Sequence, residues 1–116
     1  MTTNDVFKRA LRLCGMDEEY LSDTEIKDVR ARAADIMSAA LFDLGYTEPE
    51  VAVTDRETVS DGMADAAVYG VAMLLSLGFG DTDKAKLFSD IYSQKRSAVK
   101  SEVLRITDVL PGMGAV

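Results

Sequence analysis

A single thiol, Cys14, stands in a 116-residue chain that contains no histidine. A cysteine nucleophile needs a base to generate its thiolate, so Cys14 lacks the imidazole of a Cys–His pair. Free cysteine is among the most often buried residue types, and Cys14 reads as core. Carboxylates cluster at Asp17, Glu18 and Glu19 and again at Asp81 and Asp83. Neither cluster continues into a calcium loop, because Lys84, Ala85 and Lys86 stand where further oxygen ligands and a glycine belong. Helix capping and solvated surface account for these acids. Gly78 and Gly80, in LGFGD, are not followed by the Lys-Ser/Thr of a phosphate-binding loop and read as a turn between helices. No catalytic constellation emerges, and the expectation is a protein that is not an enzyme and uses no cofactor or metal.

The elements that would position any such residues are helical. The stretch from Asn4 offers a cap and then Val6, Phe7, Ala10, Leu11 and Cys14 at helical spacing, with Gly15 placed to end it. Ser22 to Glu25, written SDTE, matches a capping box. It precedes an apolar stripe of Ile26, Val29, Ala33, Ile36, Met37, Ala40, Leu41 and Leu44, and Gly45 stops that helix. A third helix starts near Ser60 or Asp61 and runs to about Leu77. It is apolar almost all the way round from Ala66 to Leu75, so it must be covered on most sides, and Leu74 is expected in its core. A fourth begins at Asp81, with Ala85, Phe88, Ile91, Tyr92, Val99 and Val103 marking its buried stripe.

Two segments resist a helical reading. Residues 45–59, GYTEPEVAVTDRETV, form a loop long enough to be functional or mobile. Its acids Glu48, Glu50, Asp55 and Glu57 are candidates for an interacting or channel-facing surface, and trimming residues 48–54 is expected to spare the fold. Val51, Val53 and Val59 could pair in a short strand, with extended loop the preferred assignment. Residues 104–116, LRITDVLPGMGAV, hold Pro111, Gly112 and Gly114 and are expected to form an extended tail beyond a bundle domain of residues 1–103. Leu104, Ile106, Val109 and Leu110 are apolar for a solvated end, each worth about 1.5–3 kcal/mol if fully buried. With the basic face of Lys95, Arg96 and Lys100, they are expected to dock on another surface, the alternative being that they fold back over the chain's own bundle.

Size and charge bound the class. The length suits one compact domain, and a net charge of −7 argues against coating nucleic acid through its phosphates. The charge is uneven: residues 1–65 hold 7 basic against 15 acidic side chains, and residues 66–116 hold 6 against 5. One cysteine allows no intrachain disulfide, which fits a reducing compartment. MTTNDVFKRA has no apolar signal core. The uncharged run from Ala66 to Gly80 is 15 residues long, against the roughly 20 that span a bilayer, and acids flank it; no membrane association is expected.

The order of parts resembles the head–tail connector proteins of tailed bacteriophages, also called adaptor or head-completion proteins. The likeness rests on AADIMSAALFDLG (residues 33–45), a loop, the apolar helix AAVYGVAMLLSLGFGD, and KAKLFSDIYSQKRSAV with Phe88, Tyr92 and a basic run. It spans about residues 4–103. The resemblance implies an all-α subunit that forms a ring, typically a dodecamer. Such a ring sits beneath the portal protein of the DNA-filled head and above the tail or a stopper or next connector protein. It further implies a virion location at the head–tail interface after synthesis in the host cytoplasm, with genomic DNA passing through unbound. An acidic chain suits that conduit, since carboxylates do not grip sliding phosphates. The alternative is a small cytosolic helical regulator that binds a partner or DNA through Lys8, Arg9 and Arg12.

Overall fold

A computed structural model describes residues 1–16, 22–48 and 50–109, with side chains described as far as residue 101. Four helices follow in order: α1 (Thr3–Leu13), α2 (Asp23–Asp43), α3 (Asp61–Gly78) and α4 (Thr82–Val109). The fold is all-α, with a long connection between α2 and α3. Among the described residues the only β pairing is an isolated antiparallel bridge between Thr2 and Thr58.

Each helix starts on a side-chain cap, which satisfies a backbone N–H that has no partner within the helix. The Ser22–Glu25 capping box forms as expected: the Glu25 amide donates to Ser22 Oγ and the Ser22 amide to Glu25 Oε2, both at 3.2 Å. Ser60 accepts from the Met63 amide at 3.4 Å and Asp81 from the Lys84 amide at 3.1 Å. At α1 the cap is Thr2, whose Oγ accepts the Asp5 amide at 3.1 Å, and not Asn4. The Asn4 side chain is engaged elsewhere, donating to Asp55 at 2.9 Å and accepting from Arg30 at 3.0 Å. Gly15 and Gly45 adopt φ of +78° and +95° just past α1 and α2, a left-handed conformation that ends a helix and that glycine enters without strain.

α3 is the central helix. It runs antiparallel to α4, so that Gly70 faces the Tyr92 ring and Asp65 pairs with Lys95. On another side lies α1, whose Cys14 thiol donates to the Ala72 carbonyl and contacts Ser76 Oγ, both at 3.4 Å. α2 covers a third side, with Val29 and Ile36 beside Leu74 and Leu75. Three helices of the same chain thus cover α3, which explains its apolar circumference without a neighbouring subunit. Its small residues let the others approach: Ala64, Ala66, Ala67 and Ala72 are fully buried. A Cβ at Gly70 would stand 2.7 Å from Tyr92 Cε1. Leu74 is half-buried and lines a surface groove, so the expectation that it lies in the core is corrected. Leu75, one residue on and 100° round the helix, is the buried leucine, at 4% exposure.

The connection from α2 to α3 is not a detached loop. Val51 and Val59 are buried in the main core. The segment also clasps the N-terminus: the Thr3 amide donates to the Glu57 carbonyl at 2.9 Å, the Asn4 amide to Thr54 at 3.1 Å and the Val59 amide to Met1 at 3.0 Å. Thr3 is fully buried, and its hydroxyl lies 2.8 Å from the Ala52 carbonyl and accepts the Thr54 amide at 2.9 Å. Ser38 Oγ on α2 accepts the Val51 amide at 2.9 Å. Trimming residues 48–54 would therefore remove core and strand buried polar groups, contrary to the expectation that the fold would be spared.

α4 corrects a second expectation. It remains helical through Val109, where extended chain was expected from residue 104. The β-branched residues there carry only a weak penalty against helix, whereas Pro111 is a strong stop acting on the residue before it. Residues 110–116, Leu110 included, lie outside the described residues. Within the bundle Ala85, Phe88 and Tyr92 are buried and Ile91 and Val99 half-buried, as the stripe predicts. Gly62 and Val99 share one recess, so α3 begins opposite that point of α4. From Lys100 to Val109 the helix runs past α3 by about 13–15 Å at 1.5 Å per residue.

Candidate functional site

The basic face read on α4 divides into bound and free charges. Arg96 reaches back to the end of α2, donating from Nε to Asp43 Oδ2 at 2.8 Å and from Nη2 to Oδ1 at 3.3 Å. Tyr92 donates its hydroxyl to the same carboxylate at 2.6 Å. Lys95 pairs with Asp65 at 2.6 Å and stands 5.2 Å from the Tyr69 ring centroid. Lys95 and Arg96, read as part of a docking face, are thus also paired within the chain and link α4 to α3 and α2. Lys100 is exposed. Leu104, Ile106 and Val109 are carried on the projecting turns of α4.

These contacts tune charge without creating reactivity. The Tyr92 hydrogen bond, assisted by Arg96, holds the Asp43 carboxyl below the usual carboxylate range. Burial pushes the Tyr92 phenol up, and its bond to Asp43 adds to that. A phenol so held stays protonated at neutral pH and donates a structural hydrogen bond. Burial also pushes the Cys14 thiol up, outweighing its contact with Ser76, so the thiolate nucleophile is suppressed. The ammonium of Lys95 is held charged by its hydrogen bond to Asp65.

On the loop, Glu48, Glu50 and Asp55 are exposed and Glu57 is half-buried. Glu50 and Glu57 line a shallow recess with Asp35 and Ser38 of α2, while Asp55 accepts from Asn4. The acids thus decorate a fixed backbone. Among the described residues no group of three or more His, Cys, Asp or Glu is arranged to hold a metal ion, and no helix is long and apolar enough to cross a membrane.

Surface features that the sequence pattern did not single out are apolar. Phe42, Leu77 and Leu87 are 69%, 55% and 55% exposed, and Phe79 and Leu13 also reach solvent. Phe42 and Leu87 adjoin the core residues Leu41 and Phe88 but stand 100° further round their helices, beyond the edge of the buried stripe; that offset was the available signal. Phe79 edges a groove of about 320 Å³ between α2 and the end of α3. A second recess lies between α1 and α3, beside Arg9, Arg12 and Leu13. No protein-family model, curated protein or solved structure matches the chain.

Proposed function

We propose that this chain is a structural subunit of a phage virion: a ring-forming head–tail connector that binds beneath the portal protein, closes the DNA-filled head and receives the tail or a further connector. The observation that carries this reading is the end of α4, which leaves the bundle as a helix and bears Lys100, Leu104, Ile106 and Val109. A helix that projects from a small body with apolar residues on it is an attachment device, since leaving those residues in water forgoes about 1.5–3 kcal/mol each. The absence of an activated nucleophile or metal cluster among the described residues fits a structural role. So do the exposed apolar side chains on several helices, which suit a chain that assembles.

In this reading the projecting end of α4, together with Leu110, docks on the portal, and Lys95 and Arg96 brace its base. The acidic half of the chain is compatible with a conduit past which DNA slides without binding. The test is removal of residues 104–116. The shortened subunit is expected to lose only the helical signal of residues 104–109 and to keep its melting temperature, while losing co-sedimentation with portal-containing heads. Unchanged binding to those heads overturns the docking role. A full-length chain that ignores such heads and binds duplex DNA instead favours the regulator reading through Lys8, Arg9 and Arg12.

A further inference from the structure

Two recesses flank α3. In one, Arg9, Arg12 and Leu13 of α1 stand beside Asp65, Val68 and Tyr69. In the other, Glu25, Asp28 and Ile36 of α2 stand beside Leu74, Gly78 and Phe79. Asp65 and Leu74 are nine residues apart, as are Tyr69 and Gly78. Nine residues make two and a half turns at about 3.6 residues per turn, so these pairs point opposite ways, while Val68 and Leu75 lie on nearly the same side; the recesses open on different sides of α3, one between it and α1 and the other between it and α2.

The charges left over after internal pairing have opposite signs. In the first recess Asp65 is taken by Lys95 at 2.6 Å and Asp61 lies 3.7 Å from the N-terminal ammonium. Arg9 and Arg12 are exposed there and form no ion pair among the described residues. In the second, Glu25 and Asp28 outnumber Arg32, and all three are exposed. Both recesses also leave apolar side chains in water: Leu13 is 37% exposed beside the first, and Phe79 is 43% exposed at the edge of the second. The second offers about 320 Å³ of apolar-floored space, room for a side chain of that size.

We infer that the occupant of the α2–α3 groove is a second copy of this chain. The α1–α3 side of one subunit seats on the α2–α3 side of the next, with Leu13 against Ile36, Leu74 and Phe79, and with Arg9 and Arg12 meeting Glu25 and Asp28. Each copy then uses one surface on its left and a different one on its right, a heterologous contact that closes into a ring when its rotation permits. The assignment rests on the ring reading above and names its interface.

Sedimentation velocity of the full chain over a concentration series tests both. The wild type is expected to assemble beyond a dimer. Arg9→Glu with Arg12→Glu, and separately Asp28→Lys, are expected to raise the concentration needed by about tenfold or more, because like charges then face each other. All three changes together restore opposite signs and are expected to recover assembly. Circular dichroism checks that each variant folds. Arg9→Gln with Arg12→Gln serves if reversal at the end of α1 unfolds that helix, with a smaller weakening expected. A wild type that assembles while the reversals have no effect, or whose assembly the triple variant fails to recover, overturns this interface and leaves the ring. A wild type that stays monomeric throughout overturns both.

Discussion

The connection between α2 and α3 and the last turns of α4 differ in opposite ways from what regularity would imply. The connection has no helix or strand, yet it buries Val51 and Val59 and holds the N-terminus through at least three backbone hydrogen bonds. The end of α4 is regular, yet it runs past the first residue of α3 that could pack on it. Attachment to a fold depends on where apolar side chains and backbone polar groups find partners, and a helix satisfies its own backbone wherever it goes. A segment without that internal bonding must find donors and acceptors in the rest of the chain, so irregular backbone at a buried site becomes tied down.

The strongest way to break this comparison is to charge the loop. Val51→Asp places a carboxylate at a position with 2% exposure and no cationic partner, and is expected to cost about 3–5 kcal/mol, enough to unfold much of the protein. Urea denaturation followed by circular dichroism measures it, and a native-like midpoint would return the loop to the surface. Thr3→Val keeps the shape but removes the hydroxyl that serves Ala52 and Thr54; the Thr54 amide loses its acceptor, for an expected loss of about 1–3 kcal/mol.

Gly70→Ala tests the close approach of α3 and α4. The new methyl would meet the Tyr92 ring at 2.7 Å, and overpacking of this kind is expected to cost about 1–3 kcal/mol unless the ring swings aside and loosens its bond to Asp43. The Asp43 cluster itself carries a pH signature. Because the folded carboxyl titrates below its ordinary value, its contribution is present above that value and disappears as pH falls through the folded one. The stability gap between wild type and Asp43→Asn is therefore expected to be open at neutral pH and to close below pH 3.8. A gap that persists unchanged under acid would mean that packing, and not charge, holds α2 to α4. The smallest effect is expected from truncation after Ser101, within about 0.5 kcal/mol, since α3 begins opposite Val99 and α4 continues beyond that point. A large loss on that truncation would show that the end of α4 packs on its own subunit.

Much of the fold is legible in local pattern because the deciding interactions are local. The Ser22–Glu25 box, the terminating Gly15 and Gly45 and the stripe of α2 depend on residues within four positions of one another. The candidate site was less so. Lys95 and Arg96 read as a free basic face because their partners, Asp65 and Asp43, lie 30 and 53 residues away. Charge on a helix face does not reveal which carboxylate a fold will bring to it.

The sequence by itself determined four helices, the caps of α2 and α3, the glycine stops of α1 and α2 and the apolar character of α3. All of these follow from spacing, side-chain type and backbone preference. Only the tertiary structure decided that α3 is enclosed by three helices of its own chain, that Leu75 and not Leu74 is core, and that the irregular connection is built in while α4 runs on past the start of α3. Those outcomes turn on which surfaces meet across long separations, where close packing selects one arrangement among many that satisfy the same local pattern.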